Sequence, residues 1–391
     1  MRKIRLAHLV YDLGFAGKEQ GIIKIVNHMD ADRFEVDIVV FNRVYEDAFA
    51  ADSSFEVVKL PKRTGNDPFL IPRLAALFKR KKYDIIYTHS WNTLLEGYLA
   101  AVLAGVPVKI HGEHGTFEHS KMKDFLQRKV WARFDAVTVV ADALRQKMLR
   151  EFHYPHDNIT VIHNGIDRRK FHPSPEFRTA FRQRYGLDGR FVIGTVGRFH
   201  PVKDHFTLIR GFARFQQSVP DAHLVFVGRE THRGLQQQYH DLIADLGIQH
   251  HVLFVPPSRE VEKLYNGFDV FCLSSVSEGC SNVILEALAC GVPVVATRTG
   301  GNPELVQHDE TGLLFEVHDA DGLAQQLLRL YQNNDLLHAL QEAGPRTIAA
   351  RFSLERTVDK YQRLYESLLQ RRQHKIRQKM EAASARSEHG R

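Results

Sequence analysis

The apolar residues of this chain fall into short strand-like runs and helical stripes that alternate along its length. In the first half, residues 4–10 (IRLAHLV), 34–40 (FEVDIVV), 83–87 (YDIIY), 108–110 (VKI) and 136–140 (AVTVV) have the compact apolar patterning of strands, and 17–28 and 72–82 repeat at helical spacing. The second half has the same grammar, with strands at 191–196, 223–227, 252–255, 269–273, 292–296 and 312–315 and helical stretches between most of them. Strands alternating with helices across short connections predict parallel, doubly wound α/β sheets, whose ligands bind at the carboxyl ends of the strands. At 391 residues the chain can hold two such domains, each with its own core. The charged segment 167–175, with Pro173 and Pro175, is the predicted crossing, which gives a first domain of 1–168 and a second of 169–351. Residues 352–370 read as a helix with Val358, Tyr361, Leu364, Tyr365 and Leu368 on one face. The basic remainder, 371–391, is expected to be frayed helix or disordered.

Composition narrows the class. Hydrophobic residues make up 43% of the chain, yet no apolar run approaches the roughly 18 residues of a spanning helix. The charged start, Met1 to Leu6, leads straight into a strand, so no signal peptide is expected. Cys272, Cys280 and Cys290 lack metal-ligand spacing and fit a reduced, cytoplasmic protein. Of the net charge of +7, the tail carries +5, from seven Lys/Arg against two Glu, so the folded body is nearly neutral. That weakens a nucleic-acid partner, which would want a basic face on a domain.

The most informative stretch is 269–297. A helix is predicted from about Ser281, with Ile284, Leu285 and Leu288 facing the core and Asn282 and Glu286 on the other side. Glu278 sits in the preceding loop, so two carboxylates flank a helix N-terminus whose free amides attract an anion. A single acid near a helix start more often only complements the dipole, so the rest of the chain must decide. Arg198, a planar fork, and Lys203, a point charge, stand in the loop after the strand at 191–196 and suit a pyrophosphate. Three loops in the first half could meet the same ligand: GFAG at 14–17, THSWN at 88–92 and HGEHG at 111–115. The two imidazoles and carboxylate of the last could contact a sugar or accept a proton; without a further ligand at supporting spacing, metal binding ranks lower.

Together these segments resemble the GT-B glycosyltransferases of family 4, the group 1 transferases, over nearly the whole chain. The resemblance is carried by the glycine loop after the first strand, VIHNGID at 161–167 with Phe171, Gly197-Arg198 with Lys203, and SEG at 277–279 with Asn282. EALACGVP at 286–293, TGGNPE at 299–304 and TGLL at 311–314 continue it, and the two glutamates with seven residues between them are highly specific. HGEHG and HLVY at 8–11 are similar to a branch associated with bacterial exopolysaccharide systems. The resemblance implies two Rossmann-like domains facing across a cleft, the second holding a nucleotide-diphosphate sugar, with the last helix returning to the first domain. On this chain Arg198 and Lys203 would hold the donor diphosphate, Glu286 the ribose hydroxyls, and Glu278 with Gly279, Cys280, Ser281 and Asn282 the donor sugar. His114 would stand near that sugar and Gly17 beside the phosphates. The family transfers with retention, the leaving phosphate helping to take the acceptor proton, so no cofactor, metal or dedicated base is expected. Cys280-Ser281 stands where an aromatic residue and glycine are commoner, which implies an altered donor preference.

Other classes fit less well. The Asp-x-Asp of a metal-dependent GT-A transferase is spelled at Asp30-Ala-Asp32 and Asp319-Ala-Asp321, but both lie where Asp serves turns and caps. Neither half has the full Gly-x-Gly-x-x-Gly of a dinucleotide oxidoreductase. A GT-B nucleotide-sugar epimerase or hydrolase would share the donor site. A non-catalytic membrane-surface scaffold would use the cations at 79–82, the mixed segment 121–134 and the basic tail. Cations ending a helix usually complement its dipole, yet a lipid-linked acceptor would make attachment to an anionic inner membrane face useful to a transferase as well. The expected partners are thus a nucleotide sugar and a glycan or polyprenyl-linked acceptor.

Overall fold

The computed structural model describes every residue except 1, 16, 50–52, 64, 66, 116–120, 155–156, 259 and 389–391, so Ala16 of the first glycine loop and the end of the tail lie outside the described residues. The chain divides into two units. One holds the residues up to Val140, Arg145–His163 and the chain from Leu354 on; the other holds Ala141–Leu144 and Asn164–Ser353.

The first unit runs β1 (Ile4–Val10), α1 (Gly17–Asn27), β2 (Phe34–Val40), β3 (Phe55–Lys59), α2 (Leu70–Lys81), β4 (Ile85–His89), α3 (Trp91–Ala104), β5 (Val108–Glu113), α4 (Lys121–Trp131), β6 (Ala136–Val139), α5 (Asp142–Arg150), whose first residues group with the second unit, and β7 (Ile159–Val161). Its seven parallel strands lie in the order β3-β2-β1-β4-β5-β6-β7. The order reverses between β1 and β4, the switch point at which open α/β sheets bind ligands. Edge strand β3 has no counterpart in the hydrophobic pattern, because its half-exposed residues carry little of the core. Side chains alternate between the faces: Leu6, Val10, Ile85, Tyr87, Val108 and Ile110 enter one core and Ala7, Leu9 and Ile86 the other.

The second unit runs α6 (Pro175–Tyr185), β8 (Val192–Val196), α7 (His205–Ser218), β9 (His223–Val227), α8 (Leu235–Asp245), β10 (Val252–Val255), α9 (Val261–Tyr265), β11 (Val270–Leu273), α10 (Asn282–Ala289), β12 (Val294–Thr297), α11 (Asn302–Leu305), β13 (Leu313–Phe315), α12 (Ala320–Gln332) and α13 (Asn334–Thr347). The six strands are again parallel, in the order β10-β9-β8-β11-β12-β13, with the switch between β8 and β11. Helix α6 shows how locally the sequence sets its elements. Ser174 accepts the Phe177 amide at 3.2 Å, Pro175 opens the first turn, and Gly186 closes the helix at φ +66°. Asp269 then anchors it to the sheet, taking Arg178 and Arg182 at 2.5 Å each and the Val192 amide at 2.7 Å.

The last helix, α14 (Leu354–Glu388), belongs to the first unit. Leu354, Val358, Tyr361, Tyr365 and Leu368 are buried in the core it shares with α1, the Gln362 side chain accepts the Asp30 amide at 2.8 Å, and Arg33 pairs with Glu366. Residues 371–388, for which the sequence predicts frayed helix or disorder, continue this helix, with 371–378 exposed. Arg, Gln, Lys and Ala are strong helix formers, and pairs such as Arg377 with Glu381 at i,i+4 extend the helix without a core to pack on.

Candidate active site

In the second unit the loops that follow β8 and β11 lie side by side at the switch point. The first, residues 197–204, ends in a 3₁₀ turn over Pro201–Lys203, and Asp204 caps α7 by accepting the Thr207 amide. The Val276 amide donates to the Val202 carbonyl at 2.9 Å and the Ser274 hydroxyl to the Lys203 carbonyl at 2.9 Å, which binds one loop to the other. Across this seam Lys203 Nζ reaches Glu278 Oε1 at 2.6 Å, and Ser275 Oγ donates to the same oxygen at 2.7 Å. Both charged side chains are mostly shielded from water, so each is held in one place. Arg198 is exposed and makes no ion pair among the described residues.

The Glu278 loop is shaped by close backbone approach. A Cβ on Gly300 would stand 1.9 Å from the Glu278 carbonyl oxygen, and one on Gly301 would stand 2.0 Å from that of Gly279; Gly300 also sits at φ +50°. Glycine at both positions lets the segment after β12 press onto the loop after β11. Thr297 and Thr299 fasten it with hydroxyl bonds to the Ser275 and Val276 carbonyls at 2.6 and 3.0 Å. The loop then delivers Gly279, Cys280 and Ser281 to the start of α10. Ser281 stands at the cap position without a side-chain cap bond, and its hydroxyl oxygen is buried with no partner among the described residues. The first amides of α10 therefore keep the positive end of the helix open to an anion. Asn164 steadies the same corner, its amide donating to Asn282 Oδ1 at 2.8 Å and to the Cys280 carbonyl at 3.3 Å.

Glu286 stands one turn along α10, half-buried on the side away from Ile284, Leu285 and Leu288. Its Oε2 accepts the Tyr265 hydroxyl at 2.8 Å. Burial and the neighbouring carboxylate push the Tyr265 phenol well above its ordinary pKa, so it acts only as a donor and fixes the direction of the Glu286 carboxylate.

In the first unit, the two-residue period of β5 divides the HGEHG motif between the faces of the sheet. His111 and Glu113 are buried on one side: His111 Nδ1 is 2.7 Å from Thr88 Oγ1, His111 Nε2 is 3.2 Å from Glu113 Oε2, and Gln127 donates to that oxygen at 3.0 Å. A carboxylate only accepts, so His111 carries its proton on Nε2 and its Nδ1 accepts a hydrogen bond from the Thr88 hydroxyl. This closed network corrects the expectation that both imidazoles and the carboxylate could meet a ligand; among them only His114, half-buried past the strand end, is placed to do so. His114 Nε2 lies 2.9 Å from His89 Nδ1, and burial lowers its pKa to about 3, with Lys18 as the next cause. Gly17 is the exposed first residue of α1, and Lys18 beside it donates to Ser90 Oγ at 3.1 Å, which ties the turns after β1 and β4.

Each residue predicted for the site thus lies at or just beyond the carboxyl ends of its sheet. Lys203, Glu278, Gly279, Cys280, Ser281, Asn282 and Glu286 form one connected corner of the second unit, with Arg198 on the adjoining loop, while Gly17 and His114 are carried by the first. The sequence reading missed Tyr265, Ser275 and Asn164 as supports. Asn164 was visible only as part of the VIHNGID segment, with no role attached, and Tyr265 lies 21 positions from the carboxylate it orients. The two Asp-x-Asp sequences serve structure: Asp30 accepts the Asp32 amide in a turn, Asp319 caps α12, and Asp321 pairs with Arg214.

Known proteins resemble this chain in sequence and in fold. The family profile "Glycosyl transferases group 1" matches residues 177–347 and "Glycosyltransferase Family 4" matches 15–170. The UDP-Gal:alpha-D-GlcNAc-diphosphoundecaprenol alpha-1,3-galactosyltransferase of Escherichia coli is 30% identical over 303 residues, covering 75% of this chain and 77% of that protein. The N-acetyl-alpha-D-glucosaminyl L-malate synthase of Bacillus anthracis is 29% identical over 335 residues, 84% of this chain and 86% of the relative. The crystal structure of Anabaena Alr3699/HepE in complex with UDP and glucose superposes with a TM-score of 0.83 at 21% identity, covering 93% of this chain and all of that one.

Proposed function

Because the chain belongs to the group 1 glycosyltransferases of family 4, we propose that it moves a hexose from a uridine-diphosphate sugar to a glycan or polyprenyl-linked glycan, with retention and without a metal, in bacterial surface or exopolysaccharide synthesis. It is a GT-B transferase acting on nucleotide sugars. The observation that carries the finer reading is the seam between the loops after β8 and β11, where Lys203 and Glu278 are held together at the switch point. There a diphosphate would meet Arg198, Lys203 and the first amides of α10. Glu286, aimed by Tyr265, would take the ribose hydroxyls, and Glu278 with the amides of Gly279 to Asn282 the sugar. Lys203, held by Glu278, and the amides, with Arg198 on the adjoining loop, would stand where the leaving diphosphate gains charge, and that stabilisation would replace a metal ion. The leaving phosphate takes the acceptor proton as the acceptor oxygen attacks the same face of the sugar, so no protein base is required. Uridine as the base is supported by the E. coli relative's donor and by the UDP bound in the Anabaena structure.

A lipid-linked acceptor is supported by a surface feature of the first unit. Leu99, Val102 and Leu103 on α3 and Met122, Phe125 and Leu126 on the adjoining α4 are exposed, and Lys123, Arg128 and Lys129 flank them. Apolar side chains ringed by cations suit the surface of an anionic bilayer. No helix among the described residues is long and apolar enough to cross a membrane. The test is transfer from UDP-hexoses to a polyprenyl-diphosphate-linked sugar in EDTA, with the anomeric configuration of the product read by NMR. Retention without added metal supports the reading. An inverted product, a metal requirement, or free sugar released without acceptor contradicts it.

A further inference from the structure

Three imidazoles stand in file across adjacent strands on one face of the first sheet. His8 lies in β1, His89 ends β4, and His114 follows β5. His8 Nδ1 is 2.8 Å from His89 Nε2, and His89 Nδ1 is 2.9 Å from His114 Nε2. Tyr87 stacks on both His8 and His89, with centroids 5.0 and 4.4 Å apart, and Thr93 Oγ1 bonds the His89 backbone amide and carbonyl at 2.8 Å each. Gly112 makes room: a Cβ there would stand 3.0 Å from His89 Nδ1 and 3.1 Å from His114 Nε2. The nearby His111 is committed to Glu113 on the opposite face. Among the described residues no group of three or more His, Cys, Asp or Glu is arranged to hold a metal ion, so the file is a chain of hydrogen bonds between neutral rings.

A bond between two ring nitrogens needs one N–H and one lone pair, so a file of neutral imidazoles has only two proton arrangements. If protons point from His114 towards His8, the chain ends in a His8 Nε2–H that is buried and has no partner among the described residues. If they point the other way, the unpartnered His8 atom is a lone pair, and the far end presents His114 Nδ1–H. An orphaned buried N–H is the rarer defect in folded proteins, which selects the second arrangement. Burial holds all three rings neutral, with Lys18 adding to the effect on His89 and His114.

We propose that His89, supplied with a hydrogen bond by His8, is a positioning residue that fixes His114 as the Nδ1–H tautomer, so that at the carboxyl end of the first sheet His114 offers a substrate oxygen a hydrogen-bond donor and not a base. This rests on the proposed transferase function, with His114 among the residues that meet substrate. It separates the histidine from proton abstraction and assigns it to holding substrate.

The test is the ¹⁵N imidazole spectrum of the full-length protein at pH 7 without ligand, with His114 assigned by its absence in His114→Ala. The expected result is a protonated Nδ1 and a pyridine-like Nε2 on His114. His89→Phe, which keeps the stack on Tyr87, should return His114 to the Nε2–H form favoured in water and lower kcat/KM about tenfold, as expected for a lost oriented hydrogen bond. His114→Asn, whose amide N–H can stand near the Nδ1 position, should recover activity lost in His114→Ala. A wild-type His114 protonated on Nε2 overturns the proposal, whatever the enzyme transfers. If the tautomer is as stated but His114→Ala transfers sugar at the wild-type rate, the substrate contact is what fails.

Discussion

Lys203 Nζ and Glu278 Oε1 are 2.6 Å apart, joining the loops after two neighbouring strands whose carboxyl ends flank the switch point of the second sheet. The pair is a clasp in which each group neutralises the other, and on the proposed reading an arriving diphosphate would draw on the lysine. Lys203→Ala leaves Glu278 with only its Ser275 bond among those seen here, so a loss of about 1–3 kcal/mol in stability is expected. The catalytic loss should be larger, about 10²–10³ in kcat, as for other preorganised groups at a developing charge. Thermal unfolding and steady-state kinetics on one preparation separate the two effects.

Gly301→Ala places a methyl group where the Gly279 carbonyl oxygen is 2.0 Å away, a backbone atom with no rotamer to adjust. The loop carrying Glu278 must move, with a cost of about 1–3 kcal/mol for overpacking. Unfolding midpoints should fall and nucleotide-sugar affinity with them. Gly234→Ala, at an open position where the cost is the positive φ alone, controls for general loss of glycine.

Tyr265→Phe removes the hydroxyl that aims Glu286 and leaves the ring packed. A loss of about 0.5–1.5 kcal/mol in UDP-sugar affinity is expected, with kcat nearly unchanged, because the ribose lies away from the reacting bond. Calorimetric titration against a UDP-hexose checks it. An equal loss in kcat would place Tyr265 nearer the chemistry.

Acid should destabilise the fold through its buried histidines. His8, His114 and His205 have pKa values lowered from 6.5 to about 3, and that of His89 is lowered too. The unfolded chain therefore binds more protons than the folded one between these values. Stability is full above about pH 6.5 and falls as pH drops towards 3, with an upper bound of about 1.4 kcal/mol per pH unit for each histidine. His205→Phe, in a ring cluster with Phe199, Phe226 and Tyr239, should flatten that slope in a urea titration run at several pH values.

The fold was legible because its signals are local: apolar runs of strand length and helical stripes between them. The candidate site of the second unit was legible for a related reason. Glu278, Asn282 and Glu286 sit in one short segment, and helix periodicity alone puts Glu286 opposite Ile284, Leu285 and Leu288. What the sequence hid is long-range. The two-residue period sends His111 and Glu113 to one face and His114 past the other, yet the hydrogen bonds that decide their roles come from Thr88, Gln127 and His89 on other elements. For the tail, low apolar content speaks against a core and leaves open an exposed helix built from good helix formers, which is how the chain continues to Glu388.

The most direct test of the account is calorimetric binding of a panel of UDP-, GDP- and ADP-sugars, with and without EDTA, to the wild type and to Arg198→Ala and Glu286→Ala. The account predicts selective binding of a UDP-sugar, unchanged by EDTA and weakened at least tenfold in each variant, as for loss of a charged hydrogen-bond partner. UDP-sugar binding of wild-type strength in both variants, or binding that EDTA abolishes, would contradict it.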